Sequence, residues 1–133
     1  KYFRVEFKNL LIADMTILEL KGKELHVGNT KVLVKNISAG GLCFVTNLKI
    51  PVSRDLIMNF TAYLAGKILN IRGYAVWMKE HDKNLYEYGV EFVIDERDRE
   101  LLMKDLWYIQ MQIKTNEVFT DGDFAVSARE YFN

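Results

Sequence analysis

Residues 36–44, NISAGGLCF, place two polar residues two apart, then two glycines, then an apolar strand at once. Val32 and Val34 share a strand face with Asn36 and Ser38 if the alternation is regular, yet Ile37, Leu42 and Phe44 also require burial. Strand side chains alternate with a period of two, so the pattern must slip between positions 35 and 41, which implies a bulge or a tight bend. Gly40 and Gly41 accept backbone angles closed to other residues and let a ligand approach the main chain closely. Asn36 supplies an amide and Ser38 a hydroxyl, for a ligand or for the turn itself. Taken alone, the stretch reads first as a well-made strand turn, ahead of a ligand site.

The flanking sequence supplies the fold. Tyr88, Val90, Phe92 and Ile94 alternate with Glu87, Gly89 and Glu91, the pattern of a half-buried strand. Before it, KILNIRGYAVWMKE (67–80) sets Leu69, Ile71, Ala75 and Trp77 on one face, and the polar bend EHDKN (80–84) joins the two as a hairpin. That phase assigns Trp77 to the core or its rim and keeps it out of any binding surface. Earlier strands are expected at 2–7, 13–20, 31–38, 42–46 and 56–63, separated by KGKE, VGNT, SAGG and IPVSRD, all with turn chemistry. Short, regularly spaced strands without helices between them predict an all-β fold, a closed antiparallel β-barrel, because closure removes unpaired edges.

At Asp95 the period changes. In DERDRELLMKDLWYIQMQIK (95–114), Leu102, Leu106, Ile109 and Ile113 recur at helical spacing, Asp95 can cap the first amides, and Glu96 and Asp98 suit the positive end of the helix dipole. Met103 and Trp107 widen the apolar stripe enough to cover a barrel and still meet a partner. In the last segment, NEVFTDGDFAVSAREYFN (116–133), Gly122 breaks the chain before a short helix expected from Phe124. The division expected is a β-barrel over 1–94 and a C-terminal helical extension of the same domain over 95–133.

The 133 residues, half of them apolar, suit one domain with a real core, and 18 basic residues balance 18 acidic ones. Any anion must therefore be held by a local cluster, which argues against a nucleic-acid polymer as partner. The single cysteine, Cys43, excludes an internal disulfide framework and fits a reducing, cytoplasmic compartment. No residue near it in sequence would lower its pKa, so it reads as a small inert side chain. No apolar run approaches the roughly 20 residues needed to cross a bilayer, and no signal peptide is seen, so membrane insertion is not expected. The strand pattern starts at the first residues, which fits a piece of a longer protein with a domain before it.

NISAGG fits the pattern Asp/Asn-x-Ser-x-x-Gly, an apolar strand follows it, and RGYAVWMKE with YEYGVEFV then ends the barrel before a helix. Together with Arg4 in the opening strand, these segments, spanning about 3–94, resemble the PilZ domain. The resemblance implies a six-stranded antiparallel β-barrel with a C-terminal α-helix. It also implies a receptor for cyclic di-GMP, a bacterial second messenger, that passes the signal to an effector protein or an adjacent N-terminal domain, with no other cofactor. Asn36, Ser38 and Gly41 match the second family motif, with Asn36 where aspartate is more common, and Gly40 lies within it. Arg4 matches the second arginine of the first motif, Arg-x-x-x-Arg. The first arginine would fall one residue before Lys1, and Lys1, three residues from Arg4 rather than four, is not equivalent. The expected ligand-binding residues are thus Arg4, Asn36, Ser38, Gly40 and Gly41. A guanidinium suits such a ligand twice, because its forked donors pair with phosphate and its plane stacks on a purine.

Other readings compete. His26 and His81 have no metal-ligand spacing, and no serine sits in a nucleophile elbow, so no enzyme is expected. A degenerate barrel acting only as a protein interaction module would dock through the helix face carrying Trp107 and Met111; the persistence of Arg4, Asn36, Ser38 and Gly41 together places binding ahead of it. Single-stranded nucleic acid could use Tyr74, Tyr86 and Tyr88, but Glu87 and Glu91 oppose phosphate there.

Overall fold

The computed structural model describes residues 2–115 and 122–132, with the side chains of 25–27 left aside. Six strands form a ring: β1 (Arg4–Leu20), β2 (Lys23–Ser38), β3 (Gly41–Thr46), β4 (Leu56–Leu64), β5 (Lys67–Asp82) and β6 (Leu85–Phe92). Their order is β2-β3-β6-β5-β4-β1, every pair antiparallel, and a β1–β2 pairing closes the circle. The expected antiparallel barrel architecture is thus met by a ring in which each strand has two neighbours, so no long edge is left unpaired.

Two expected breaks are absent. Segments 2–7 and 13–20 are one strand, β1, because the chain between them bulges instead of turning: Glu6 faces Asn36, while Leu11 already faces Val34. Likewise VGNT lies inside β2, with Thr30 opposite Met15 and Val27 opposite Ile17. Turn residues do not end a strand whose backbone groups have ladder partners. The KGKE turn does form, with Lys21 (φ 54°) and Gly22 (φ 80°) both left-handed, as a two-residue hairpin requires. In EHDKN only Lys83 and Asn84 turn, and β5 continues to Asp82.

Inward side chains of all six strands build one core. Val5, Val34, Phe44, Met58, Leu69 and Tyr88 belong to it, with Phe44 stacked on Tyr88 at 5.2 Å and tilted against Phe60 at 5.3 Å. The helix α1 (Glu96–Lys114) adds Leu102, Leu106 and Ile109 to the same cluster. Burying each such side chain contributes about 1.5–3 kcal/mol, which anchors the helix to the ring. As expected, Asp95 is its N-cap and accepts from the Asp98 amide at 2.8 Å.

The C-terminal segment departs from expectation. Phe124 and Ala125 form a short strand, β7, against Leu10 and Leu11, and a four-residue helix, α2 (Ala128–Tyr131), starts only at Ala128, capped by Ser127. Ala125 and Ala128 pack with Leu33, Val45 and Leu85 in a second cluster. They cover apolar side chains that the strand alternation turns away from the main core. Among the described residues no helix is long and apolar enough to cross a membrane.

Candidate functional site

The opening stretch forms a two-residue turn, Ala39 and Gly40, between β2 and β3. The expected slip occurs at its β2 side: Val34 faces Phe44 but Asn36 faces Cys43, so Lys35 is the bulged residue. The bulge lets Val34 and Ile37 both point inward, 3% exposed each, while Asn36 and Ser38 stay at the surface. Ser38 closes the turn itself: its Oγ accepts from the Gly40 amide at 3.2 Å, and the hydroxyl reaches the Gly41 carbonyl at 3.5 Å.

The glycines are not placed here for unusual backbone angles, one of the two uses expected of them. Neither Gly40 nor Gly41 is among the residues with positive φ. Gly41 is required by close approach, since a Cβ there would lie 2.0 Å from the Val90 carbonyl oxygen of β6. At Gly40 a Cβ would come within 3.2 Å of the Tyr2 ring, and the Gly40 carbonyl accepts from the Phe92 amide at 2.9 Å. The closely approaching group is a neighbouring strand and an aromatic ring.

Arg4 faces Ser38 across the β1–β2 ladder. Arg4, Asn36, Ser38, Gly40 and Gly41 therefore line one open cleft of about 480 Å³, which brings all five expected residues together. Among the described residues, neither the exposed Arg4 guanidinium nor the Asn36 side-chain amide has a hydrogen-bond or ion-pair partner within the chain. Those donors are free to meet a ligand.

The far wall comes from β5 and corrects the sequence reading of Trp77. A register shift between Ala75 and Trp77 reverses the strand phase, so Trp77 is outward and 42% exposed while Met78 turns to the core. Trp77 lines the cleft, with Lys79 beyond it on the same strand. Alternation read from Leu69 onward placed it with the core because a bulge leaves no period of its own; the apolar run AVWM was the sole hint.

One end of the cleft holds Glu87, 5% exposed. Its Oε1 accepts from Lys35 Nζ at 3.1 Å and faces His81 Nδ1 at 3.2 Å, its Oε2 accepts from the Cys43 thiol at 3.1 Å, and Lys79 Nζ stands 4.0 Å away. Burial pushes this carboxyl up, but hydrogen bonds from Cys43, Lys35 and His81 outweigh it and hold the group below its ordinary value. Burial, followed by the hydrogen bond to Glu87 and its charge, pushes the Cys43 thiol up to about 12. It stays protonated and unreactive near neutrality, in line with the inert role read from sequence. The negative charge at this end is thus neutralised by lysines. Glu91 is engaged too, accepting from the Tyr74 hydroxyl at 2.8 Å. Tyr74 and Tyr88 are 7% and 0% exposed, so they offer no stacking surface for single-stranded nucleic acid.

The PilZ domain family model matches residues 2–106, and the chain belongs to the PilZ domain family. Among solved structures it is similar to the Bacillus subtilis inhibitor of motility, MotI/DgrA, with TM-score 0.58 and 16% identity over 84% of this chain and 51% of that one. MrkH of K. pneumonia in its apo state gives TM-score 0.59 and 16% identity, over 86% of this chain and 53% of that one. The PilZ domain of YcgR from Escherichia coli, determined with c-di-GMP, gives TM-score 0.54 and 13% identity over 89% and 98%. At these identities the likeness is one of fold, and the chain spans about half the length of the MotI/DgrA and MrkH chains. No curated protein matches it in sequence.

Proposed function

We propose that this protein binds cyclic di-GMP in the cleft between Arg4 and the turn at residues 36–41, and passes the occupancy of that cleft to a neighbouring domain or partner protein. The observation that carries this reading is the cross-strand pairing of Arg4 with Ser38, which brings to one cavity the Asn36 amide and a guanidinium that has no partner among the described residues. Arg4 pairs with a phosphate and stacks on a guanine; Asn36 and the Ser38 turn hydrogen-bond the base edge and nearby ligand groups. This is binding and signal transduction rather than catalysis. A second groove of about 500 Å³ carries Asp95, Asp98 and Asp105, which disfavour a ligand with two phosphates.

Isothermal titration with micromolar cyclic di-GMP tests the proposal. Heat of binding is expected, and Arg4→Ala should weaken affinity by about tenfold or more, since a hydrogen bond to a charged group contributes roughly 1.5–3 kcal/mol. No heat from a folded sample overturns the assignment.

A second reading, a barrel that works only as a docking module, draws on the helix surface, where Trp107 is 59% and Leu101 53% exposed. The same titration discriminates: a folded sample that gives no heat with cyclic di-GMP favours this second reading.

A further inference from the structure

We propose that the groove between α1 and β5 docks a basic amphipathic helix of a partner protein, which extends the relay half of the reading above and needs no ligand in the Arg4 cleft. The groove measures about 500 Å³, and three separate segments bring exposed apolar side chains to it: Ile68 from β5, Val93 from the connector before α1, and Leu101 from α1. They are 65%, 52% and 53% exposed, although Leu69, Ile71 and Leu102 beside them are buried. Three large apolar side chains left in water around one concavity are the mark of a surface that meets a partner.

The charge of the groove says what covers it. Asp95, Asp98 and Asp105 line it against one cation, Arg72, in a chain whose total charge is zero, so the local potential favours a cationic occupant. Neither the Asp98 carboxylate nor the Arg72 guanidinium has a hydrogen-bond or ion-pair partner among the described residues, so the two do not neutralise each other. Asp105 is paired with Lys67 at 3.5 Å, a surface contact that an incoming cation can share or replace at little cost. The spacing fits a helix. Asp98 and Asp105 stand seven residues apart, about 10.5 Å or two turns along α1, with Leu101 between them. A partner helix with Arg or Lys seven apart and Leu or Ile between them matches that order, with its apolar face laid into the groove. The groove also adjoins the turn at residues 36–41: the Phe92 amide donates to the Gly40 carbonyl and the next amide, Val93, to the Arg72 carbonyl, both at 2.9 Å.

Backbone amide NMR shifts of this chain, titrated with synthetic helical peptides of about 18 residues, decide this. One peptide carries Arg seven apart with Leu between, a second has Glu for each Arg, and a third has Ser for each Leu. The first should shift the amides of Val93, Asp98 and Leu101 saturably, more weakly as salt is raised, and the other two should not. Asp98→Lys should weaken that binding about fivefold or more, and Leu101→Asn about tenfold. Both side chains are exposed, so the variants should fold. Trp107→Ala, six residues on and about a third of a turn round the helix from Leu101, should leave the affinity unchanged. No saturable shift at the groove with the first peptide, equal binding of the Glu peptide, or indifference to Leu101→Asn overturns the inference. A dimer in sedimentation that Leu101→Asn dissolves gives the groove to a second copy of this chain and overturns it too. Calorimetry with cyclic di-GMP is read separately. Dinucleotide binding without peptide binding leaves the ligand assignment standing, and peptide binding without dinucleotide binding overturns that assignment alone.

Discussion

The Arg99 side chain of α1 donates from Nε to the carbonyl oxygen of Ala39, 3.3 Å away in the turn between β2 and β3. The same guanidinium is paired with Glu96 at 2.9 Å and stands 5.8 Å from the centre of the Tyr2 ring, which itself rests against Gly40. The turn that bears Ser38 is thereby held from the helix side as well as by its own hydroxyl. This gives the cleft a direct contact with helix α1.

Removing that link should loosen the turn before it unfolds the domain. Arg99→Ala is expected to cost about 1 kcal/mol, the net contribution of one hydrogen bond in a partly solvated setting. Its amide exchange at Gly40 should rise about fivefold, since local opening free energy falls by that amount. Hydrogen exchange followed by NMR reads this directly. Unchanged protection at Gly40, on a folded variant, would mean that the Ser38 hydroxyl holds the turn without the helix.

The two glycines of the turn should respond differently to the same added methyl group. Gly41→Ala forces a Cβ against the Val90 backbone, which cannot give way without shifting β6. It should destabilise the fold by about 1–3 kcal/mol, as overpacking does. Gly40→Ala presses on the edge of the Tyr2 ring and meets the Ser38 hydroxyl only at an ordinary 3.9 Å, with no backbone in the way, so its cost should stay below about 1 kcal/mol. Urea midpoints of the two variants compare them, and equal midpoints would refute the close-approach account of Gly41.

Glu87 should make stability depend on acidity in a defined direction. Its folded-state value lies below the ordinary 4.5, so ionised Glu87 stabilises the fold above that pH, and the contribution is lost as pH falls through the lower folded value. Wild type should therefore lose stability between about pH 5 and pH 3, and Glu87→Gln should lose less over the same interval. Asp82, held low by the Lys83 amide and by Arg129, acts in the same range but is present in both proteins, so the difference isolates Glu87. Parallel urea titrations at the two ends of that interval check it; identical losses would place the acid sensitivity elsewhere.

Much of this molecule can be read along the chain. The alternation of Tyr88, Val90 and Phe92 against Glu87, Gly89 and Glu91 marked β6, and the helical spacing of Leu102, Leu106 and Ile109 after an Asp95 cap marked α1. The slip around Lys35 was legible because two hydrophobic phases, Val32–Val34 and Ile37, collide there. The bulge before Trp77 was not, since a run of apolar residues fits either phase and only the partner strand β6 chooses between them. The unity of β1 was hidden for a related reason. Polar residues within it look like a turn until β2 and β7 supply partners for its backbone.

The sequence by itself determined which segments extend, where the helix begins, and which polar residues could gather around a turn, because period, capping and turn chemistry act between near neighbours. Only the tertiary structure decided that Arg4 lies opposite Ser38, that Trp77 faces the cleft, and that Gly41 answers to Val90 instead of to a backbone angle. Those relations are set by register between strands distant in the chain, and a one-residue shift on a strand with a period of two exchanges inside for outside.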